Sequence, residues 1–109
     1  MAGLSAKTCV PCQGGVPPLR REQYDPLLEQ LRGWEVLDDH YLAKRFEFPD
    51  FATALAFVNR IGAVAEREGH HPDLTLSWGT VGVQIWTHKA NGLTESDFVL
   101  AAKLDELPR

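Results

Sequence analysis

Residues 50–69 read DFATALAFVNRIGAVAEREG and carry the clearest structural signal in this 109-residue chain. The apolar residues of this stretch recur every three or four positions, as on one side of an α-helix: Phe51, Leu55, Val58, Ile61 and Ala65. Asp50 is a suitable N-cap, because its carboxylate can accept hydrogen bonds from free backbone N–H groups, and Gly69 is a suitable C-terminal stop. We therefore predict an amphipathic helix between Asp50 and Gly69 that packs against an apolar layer.

Two strands are predicted before this helix. Residues 34–38 and 41–48 flank a tight turn at Asp38-Asp39-His40. Three apolar side chains of the second strand fall on one face, namely Leu42, Phe46 and Phe48. This pattern indicates a strand with one buried face.

Two more strands are predicted after the helix, around the turn pair Gly79-Thr80. Because successive residues of a strand point to opposite faces, the second of these strands has two different sides. Val81, Val83 and Ile85 face one way, whereas Gln84, Trp86 and His88 face the other. This alternation places His88 off the main core face.

A shorter helix is predicted near the start of the chain, from Arg20 or Asp25 to Leu31, with Gly33 as its stop. Leucines at 27, 28 and 31 form its apolar stripe. If Asp25 is the N-cap, Pro26 takes the first helical position, where a proline is well tolerated.

The last helix is predicted to start at Thr94, which forms a capping pattern with Asp97. The resulting order is helix, two strands, helix, two strands, helix. It predicts an α+β fold, with a four-stranded antiparallel sheet, three helices packed on one face, and the other face partly open. Residues 1–18 are rich in Gly and Pro and are predicted to form an extended N-terminal arm, so that residues 19–109 form the single domain.

The composition argues against binding to nucleic acid and against association with a membrane. A net charge of −4 provides no cluster of cations for nucleic acid or for an anionic membrane surface. No apolar run approaches the roughly 20 residues that cross a bilayer. The first 18 residues lack the apolar stretch of a secretory signal, so we expect a cytoplasmic protein.

Three of the four histidines are candidates for chemistry: His70, His71 and His88. If the hairpin turns near residue 79, its two open ends bring these imidazoles to one edge of the sheet. Histidine suits proton transfer, because its unperturbed pKa of about 6.5 lies near physiological pH. Glu66, one helical turn before His70, is placed to hydrogen-bond an imidazole and raise its basicity.

Simpler interpretations of these histidines are a surface position, a satisfied core position or a zinc site. Zinc is disfavoured, because adjacent residues of an extended chain point to opposite faces and no carboxylate or cysteine completes a ligand spacing. We therefore predict no metal. The pair Cys9 and Cys12 lacks the second Cys-x-x-Cys that a zinc site needs, and it is not at a strand-to-helix junction, where a redox pair is expected. A structural role is favoured for it.

Some candidate residues have structural explanations of equal simplicity. The capping pattern accounts for Asp97 without chemistry. The tryptophans Trp34, Trp78 and Trp86 are typical of a core or an interface, although an indole near the histidines would suit stacking on a flat heterocycle.

Taken together, these residues resemble the pterin-4a-carbinolamine dehydratase family, from about Leu19 to Leu107. The pattern of that family is an acidic residue, His-His-Pro, an aromatic residue, a histidine and an aspartate. It falls here on Glu66, His70-His71-Pro72, Trp78, His88 and Asp97. Further similar segments are Gly33-Trp34, Thr87-His88 and Gly92-Leu93-Thr94-Glu95, and the N-terminal Cys-x-x-Cys resembles a bacterial and chloroplast-related branch.

The resemblance implies the α+β fold predicted above, assembly as a homodimer or homotetramer, and no cofactor. The implied reaction removes water from a 4a-hydroxytetrahydropterin and recycles the pterin that aromatic amino acid hydroxylases release. The expected catalytic residues are His70, His71 and His88. Glu66 is expected to tune His70, and Asp97 to position the last helix near His88. The residues expected to bind the substrate are Trp34, Trp78 and Pro72.

The same family contains members that act on other proteins, as a dimerisation cofactor of a transcription factor or in assembly of Rubisco. A non-catalytic binding or assembly role on the same scaffold is therefore the alternative. The complete histidine set favours the enzyme, because a pure binding protein has no reason to keep it.

Overall fold

The computed structural model describes residues 3–9 and 16–109. The described part contains three α-helices and one four-stranded sheet, in the chain order α1 (Arg21–Leu28), β1 (Glu35–Leu37), β2 (Tyr41–Glu47), α2 (Phe51–Glu68), β3 (Asp73–Ser77), β4 (Thr80–Ile85) and α3 (Glu95–Asp105). All strand pairs are antiparallel, and the strand order is β1-β2-β4-β3. The predicted α+β fold is therefore confirmed.

The central helix α2 forms at the predicted position, although three residues of the predicted apolar stripe are not buried, namely Phe51, Leu55 and Val58. Thr53 N–H donates to the Asp50 carboxylate over 2.8 Å, and Gly69 ends the helix in the left-handed conformation at a φ of 66°. The side chains of α2 that point at the sheet are fully buried or nearly so: Ala54, Phe57, Ile61, Val64 and Ala65. Burial of this stripe against the sheet is what fixes the helix in place.

The sheet has one buried face and one open face, because inward and outward side chains alternate along each strand. The inward residues are Leu42 and Phe46 of β2 and Val81, Val83 and Ile85 of β4, which are all buried. On the open face, the register places Glu35, Ala43, Gln84 and Asp73 in one row across the four strands.

The helix α3 lies at the centre of the core. Thr94 and Asp97 form the predicted capping box at its start. Seven of its eleven residues are buried: Ser96, Asp97, Phe98, Val99, Leu100, Ala101 and Leu104. The helix is therefore surrounded on most sides, and its first turn becomes part of the protein interior.

Residues 3–9 lie against this helix and against the end of α2. Leu4 is buried in the core, Lys103 Nζ donates to the Ser5 carbonyl over 2.9 Å, and Cys9 N–H donates to Glu68 over 3.0 Å. Cys12 lies outside the described residues, and the predicted boundary between residues 18 and 19 stays a prediction.

Both ends of α1 differ from the sequence prediction, since the helix also ends at Leu28, three residues before the predicted Leu31. The helix begins at Arg21 and contains Pro26, so the alternative with Asp25 as N-cap is wrong. The Gln23 side chain accepts the Arg20 backbone N–H over 2.8 Å and so caps the earlier start. Tyr24 is buried against Phe98 and anchors this first turn, and such tertiary packing overrides the local preference of Pro26.

The hairpin after α2 also differs from the prediction. Ser77 pairs with Thr80, so the two-residue loop is Trp78-Gly79 and the predicted turn pair is one residue too late. Beyond the hairpin, β4 ends at Ile85, and His88 begins a short 3₁₀ turn over His88–Ala90 instead of continuing the strand. The strand stops because Thr87 N–H donates to Gly92 carbonyl over 2.8 Å, which folds the chain back on itself.

Candidate active site

His70 is held at the junction between α2 and the sheet. The left-handed Gly69 turns the chain out of the helix, and His70 N–H still donates to the Ala65 carbonyl over 3.2 Å. The imidazole points into the protein, where its Nε2 lies 2.6 Å from Oδ1 of Asp97. The His70 side chain is 16% exposed and the Asp97 carboxylate is fully buried, so this contact is largely shielded from solvent.

Asp97 connects three segments of the chain through its two carboxylate oxygens. Besides His70, it accepts from Thr87 Oγ1 and from the Thr94 backbone N–H, each over 2.8 Å. An ionised carboxylate is an acceptor only, so His70 donates from Nε2 and its Nδ1 is the nitrogen left for proton exchange. The sequence analysis explained Asp97 by capping alone, whereas the structure shows that it caps α3 and orients His70 at once.

Thr87 is a site residue that sequence reasoning missed. It is buried, and its hydroxyl also lies 3.0 Å from that of Thr94. The signals for it were its position beside His88 and the similarity of the segment Thr87-His88 to the family. Thr87 turns inward and donates to Asp97. The next residue in the chain, His88, is therefore connected to the His70–Asp97 pair through Thr87.

His71 points away from His70, as expected for adjacent residues of an extended chain. Its Nε2 lies 2.5 Å from Oε2 of Glu66, and both side chains are exposed, at 59% and 79%. The predicted contact between Glu66 and His70 is therefore replaced by one between Glu66 and His71. A solvent-exposed contact of this kind contributes little to stability, so its effect is to orient the ring.

His88 is the third imidazole, and it is exposed on the open side of the molecule. Its ring stacks on that of Trp86, with 4.0 Å between centroids and 24° between planes. Trp86 also contacts the ring of His40, at 4.4 Å. Neither Trp86 nor His40 was predicted as a site residue, although the strand alternation had placed Trp86 on the same face as His88.

The remaining predicted residues are distributed over the molecule. Pro72 lies directly after the adjacent histidines and is half-buried. Trp34 is buried and its Nε1–H donates to Asp105 over 3.0 Å, at the other end of α3 and about 12 Å along the helix from Asp97. Trp78 is 70% exposed at the tip of the hairpin, and the five residues of β3, about 17 Å, separate it from Pro72. Within one chain, the structure does not bring either indole to the histidines.

The electrostatics of the site come from carboxylates paired with imidazoles. Within residues 3–9 and 16–109, no group of three or more His, Cys, Asp or Glu side chains is arranged to hold a metal ion. The same ranges contain no helix that is long and apolar enough to cross a membrane. These imidazoles can donate a proton and accept one.

Comparison with known proteins gives a consistent family. Residues 17–107 match the family model described as pterin 4 alpha carbinolamine dehydratase. A relative from Rubrobacter xylanophilus is 54% identical over 98% of this chain and all of its own length. Another from Rickettsia bellii is 56% identical over 95% of this chain and 93% of its own. Both relatives have the provisional name pterin-4-alpha-carbinolamine dehydratase.

Two solved structures are similar. One, a transcriptional coactivator/pterin dehydratase from Brucella melitensis, has a TM-score of 0.76 and 32% identity, covering 81% of this chain and 95% of that one. The second is a pterin dehydratase-like protein described as a RuBisCO assembly factor in the alpha-carboxysome. It has a TM-score of 0.58 and 25% identity, covering 68% of this chain and 87% of that one.

Proposed function

We propose, from the premise that this chain belongs to the pterin 4 alpha carbinolamine dehydratase family, that it dehydrates 4a-hydroxytetrahydropterin to quinonoid dihydropterin. The observation that carries the proposal is the contact between His70 and the fully buried Asp97, which supports acid–base chemistry at an otherwise ordinary helix end. A family member kept only for binding would not need an imidazole held on this buried carboxylate.

The reaction requires two proton transfers and no change of oxidation state. The C4a–O bond breaks, and because hydroxide is a poor leaving group, an acid must protonate the departing oxygen so that it leaves as water. A ring nitrogen loses its proton as the new double bond forms, and a base must accept it. Positioned imidazoles can perform both transfers near neutral pH.

We assign these transfers to His70, which contacts Asp97, and to His88, whose neighbour Thr87 donates to the same carboxylate. His70 exchanges a proton through Nδ1, since Nε2 is engaged by Asp97. His71, oriented by Glu66, binds and orients the pterin instead.

Pro72, Trp34 and Trp78 are the residues predicted to contact the substrate, and these roles stay predictions. Pro72 is supported by its place next to the histidines. Trp34 and Trp78 have no such support from a single chain, because Trp34 contacts the far end of α3 and Trp78 lies at the tip of the hairpin.

The test is a stopped-flow assay of the purified protein with freshly generated 4a-hydroxytetrahydropterin. We expect a rate well above the uncatalysed one, and a loss of the acceleration by about 10²-fold or more when His70 and His88 are both replaced by alanine. Lys89→Ala is the matched control, because Lys89 is exposed in the same 3₁₀ turn as His88. Full activity in the double variant, with unchanged unfolding behaviour, would contradict the assignment.

A second candidate is assembly of other proteins, and one observation favours it: the similarity to the structure described as a RuBisCO assembly factor. The two functions separate in the same assay. A folded wild-type protein that gives no acceleration would favour the assembly role, whereas acceleration that depends on the histidines favours the dehydratase.

A further inference from the structure

The three histidines of the site are held in different ways. His70 and His71 each have a carboxylate within hydrogen-bond distance, from Asp97 and Glu66. Among the described residues, no side chain hydrogen-bonds or pairs with the imidazole of His88. Its described side-chain contact is the stack on Trp86.

The backbone makes this stack possible. Thr87 is turned into the core, so the residues before and after it, Trp86 and His88, both emerge on the open side of the sheet. The turn that follows is closed by hydrogen bonds from Ala90 N–H to Thr87 carbonyl and from Asn91 N–H to His88 carbonyl, over 3.2 and 3.1 Å. The backbone of His88 is therefore fixed, and the side-chain torsions are the freedom that remains.

The stacking geometry restricts those torsions. The imidazole is stacked closely on the indole, with 4.0 Å between centroids and 24° between planes, so a rotation of His88 away from the stack gives up this contact. Trp86 is supported in turn by His40, at 4.4 Å and 45°, and His40 contacts Tyr41 edge to face at 6.2 Å. The indole of Trp86 therefore covers one side of the otherwise exposed His88 imidazole, and His40 packs against that indole.

We propose that Trp86 is a positioning residue for His88: its indole does for this imidazole what Asp97 does for His70. This inference rests on the dehydratase activity proposed above. It assigns Trp86 an effect on the catalytic step that passes through His88, with His40 supporting the indole from the neighbouring turn. A proton-transfer group that swings freely reaches the productive geometry less often, and small misplacements of such groups slow reactions.

The variant Trp86→Leu removes the stack and keeps an apolar side chain, and Trp86→Phe keeps an aromatic face. We expect kcat to fall about three- to tenfold in Trp86→Leu, with KM changed less, and most of the loss to be recovered in Trp86→Phe. His40→Leu should have the same direction and a smaller effect. Lys89→Ala, at an exposed residue beside His88 in the same turn, is the control for a substitution at this surface.

A double-mutant cycle separates positioning from general stability. If Trp86 acts through His88, Trp86→Leu slows the wild-type protein but causes no further loss in a His88→Ala background. Equal losses in both backgrounds, or a change in KM alone, would overturn the proposal, because Trp86 would then act on the substrate or on the fold. Unfolding in urea shows whether any variant is destabilised.

A measurement without activity completes the test. The His88 ring protons of the wild-type protein should show a ring-current shift in NMR spectra that disappears in Trp86→Leu and persists in Trp86→Phe. A wild-type protein that shows the shift but gives no dehydration would overturn the proposed function and, with it, the positioning role. A catalytically active wild type with an unaffected Trp86→Leu variant would overturn the positioning role alone.

Discussion

At the scale of single residues, Asp97 has the most demanding environment in the chain. It is a fully buried carboxylate, and its described partners are one imidazole, one hydroxyl and one backbone N–H. A buried charge is tolerable only when every lone pair is engaged, so this residue ties the stability of α3 to the orientation of His70.

Replacing Asp97 by Asn should therefore affect both properties. The amide nitrogen cannot accept from His70 or Thr87, so the free energy of unfolding should fall by about 1–3 kcal/mol. The dehydratase kcat should fall by about 10²-fold, because His70 loses its orientation. Urea unfolding and the stopped-flow assay measure the two effects.

The control for this substitution is Thr94→Ala, which removes a capping hydroxyl but leaves His70 and Asp97 in contact. It should cost about 1 kcal/mol of stability with little change in kcat. If both variants lost activity in proportion to stability, the role assigned to the His70–Asp97 pair would be wrong.

The environment of Cys9 predicts how the reactivity of its thiol depends on pH. Partial burial, and next the charge of Glu68, raise the pKa of its thiol from 9.0 to about 11. In a Cys12→Ser chain at pH 8, alkylation of Cys9 should be about 100-fold slower than that of an exposed cysteine, because the thiolate is the reactive form. The rate should keep rising with pH up to about 11, and a plateau near pH 9 would contradict the burial.

The same shift has a consequence for stability whose sign is fixed. The Cys9 thiol ionises in the unfolded chain at a lower pH than in the folded one, so the protonated thiol favours the folded state. Its contribution to the free energy of unfolding is complete below pH 9 and is lost as the pH rises through about 11. Tyr24 acts in the same direction, because burial and then its hydrogen bond to Asp39 raise its pKa from 10.0 to about 12. Stability should therefore fall at alkaline pH.

At the scale of elements, glycines show where the backbone is crowded. A Cβ on Gly79, in the β3–β4 loop, would lie 2.7 Å from the Phe48 carbonyl oxygen, whose own residue donates its N–H to the Gly79 carbonyl. A Cβ on Gly62, within α2, would meet nothing within 4 Å. The two positions should respond oppositely to the same substitution.

We expect Gly79→Ala to destabilise the protein by about 1–3 kcal/mol, because the loop or the end of β2 must shift. Gly62→Ala should stabilise it by about 0.5–1 kcal/mol, since alanine is the better helix former. Thermal and urea unfolding of the two variants test this pair, and effects of the same sign would contradict the geometry.

At the scale of the whole molecule, one buried ion pair connects the sheet to α3. Lys44 Nζ of β2 lies 2.7 Å from Asp105, and the two side chains are 13% and 8% exposed. The same lysine donates to the Arg32 carbonyl over 2.6 Å, and the Trp34 indole N–H donates to the Asp105 carboxylate. The contacts of Lys44 and Asp105 therefore connect three parts of the molecule: the segment before β1, the sheet, and the end of α3.

Lys44→Met should lower the free energy of unfolding by about 3–5 kcal/mol, because it leaves the Asp105 carboxylate buried without its cation. In the double variant Lys44→Met/Asp105→Leu, much of this loss should be recovered, since no charge remains unpaired. Denaturation in urea measures both, and a loss in the single variant of under 1 kcal/mol would mean that the pair is solvated.

The oligomeric state is a further prediction at this scale. The resemblance implies a dimer or tetramer, and Phe51 and Leu55 leave apolar surface on the same side of α2, 44% and 41% exposed. Light scattering should give a mass of two or four times the 12.2 kDa of one chain. A mass of one chain at micromolar concentration would contradict it.

The sequence by itself determined the helices with strong caps, the strand alternation and the family. Asp50, Gly69 and Thr94 act on backbone groups a few residues away, and the alternation of Val81, Val83 and Ile85 is a local property of a strand, so these signals are readable without a fold. The histidine set was recognisable for the same reason, as a spacing along the chain.

Only the tertiary structure decided which partner each histidine has. His70 meets Asp97 across 27 residues, and Glu66 turns to His71 because the chain leaves α2 at Gly69 with adjacent side chains pointing apart. The end of β4 is likewise set by the return of the chain to Gly92, which points Thr87 inward and leaves His88 on Trp86. Such contacts depend on how separate elements pack, and the spacing of residues along a chain does not contain that information.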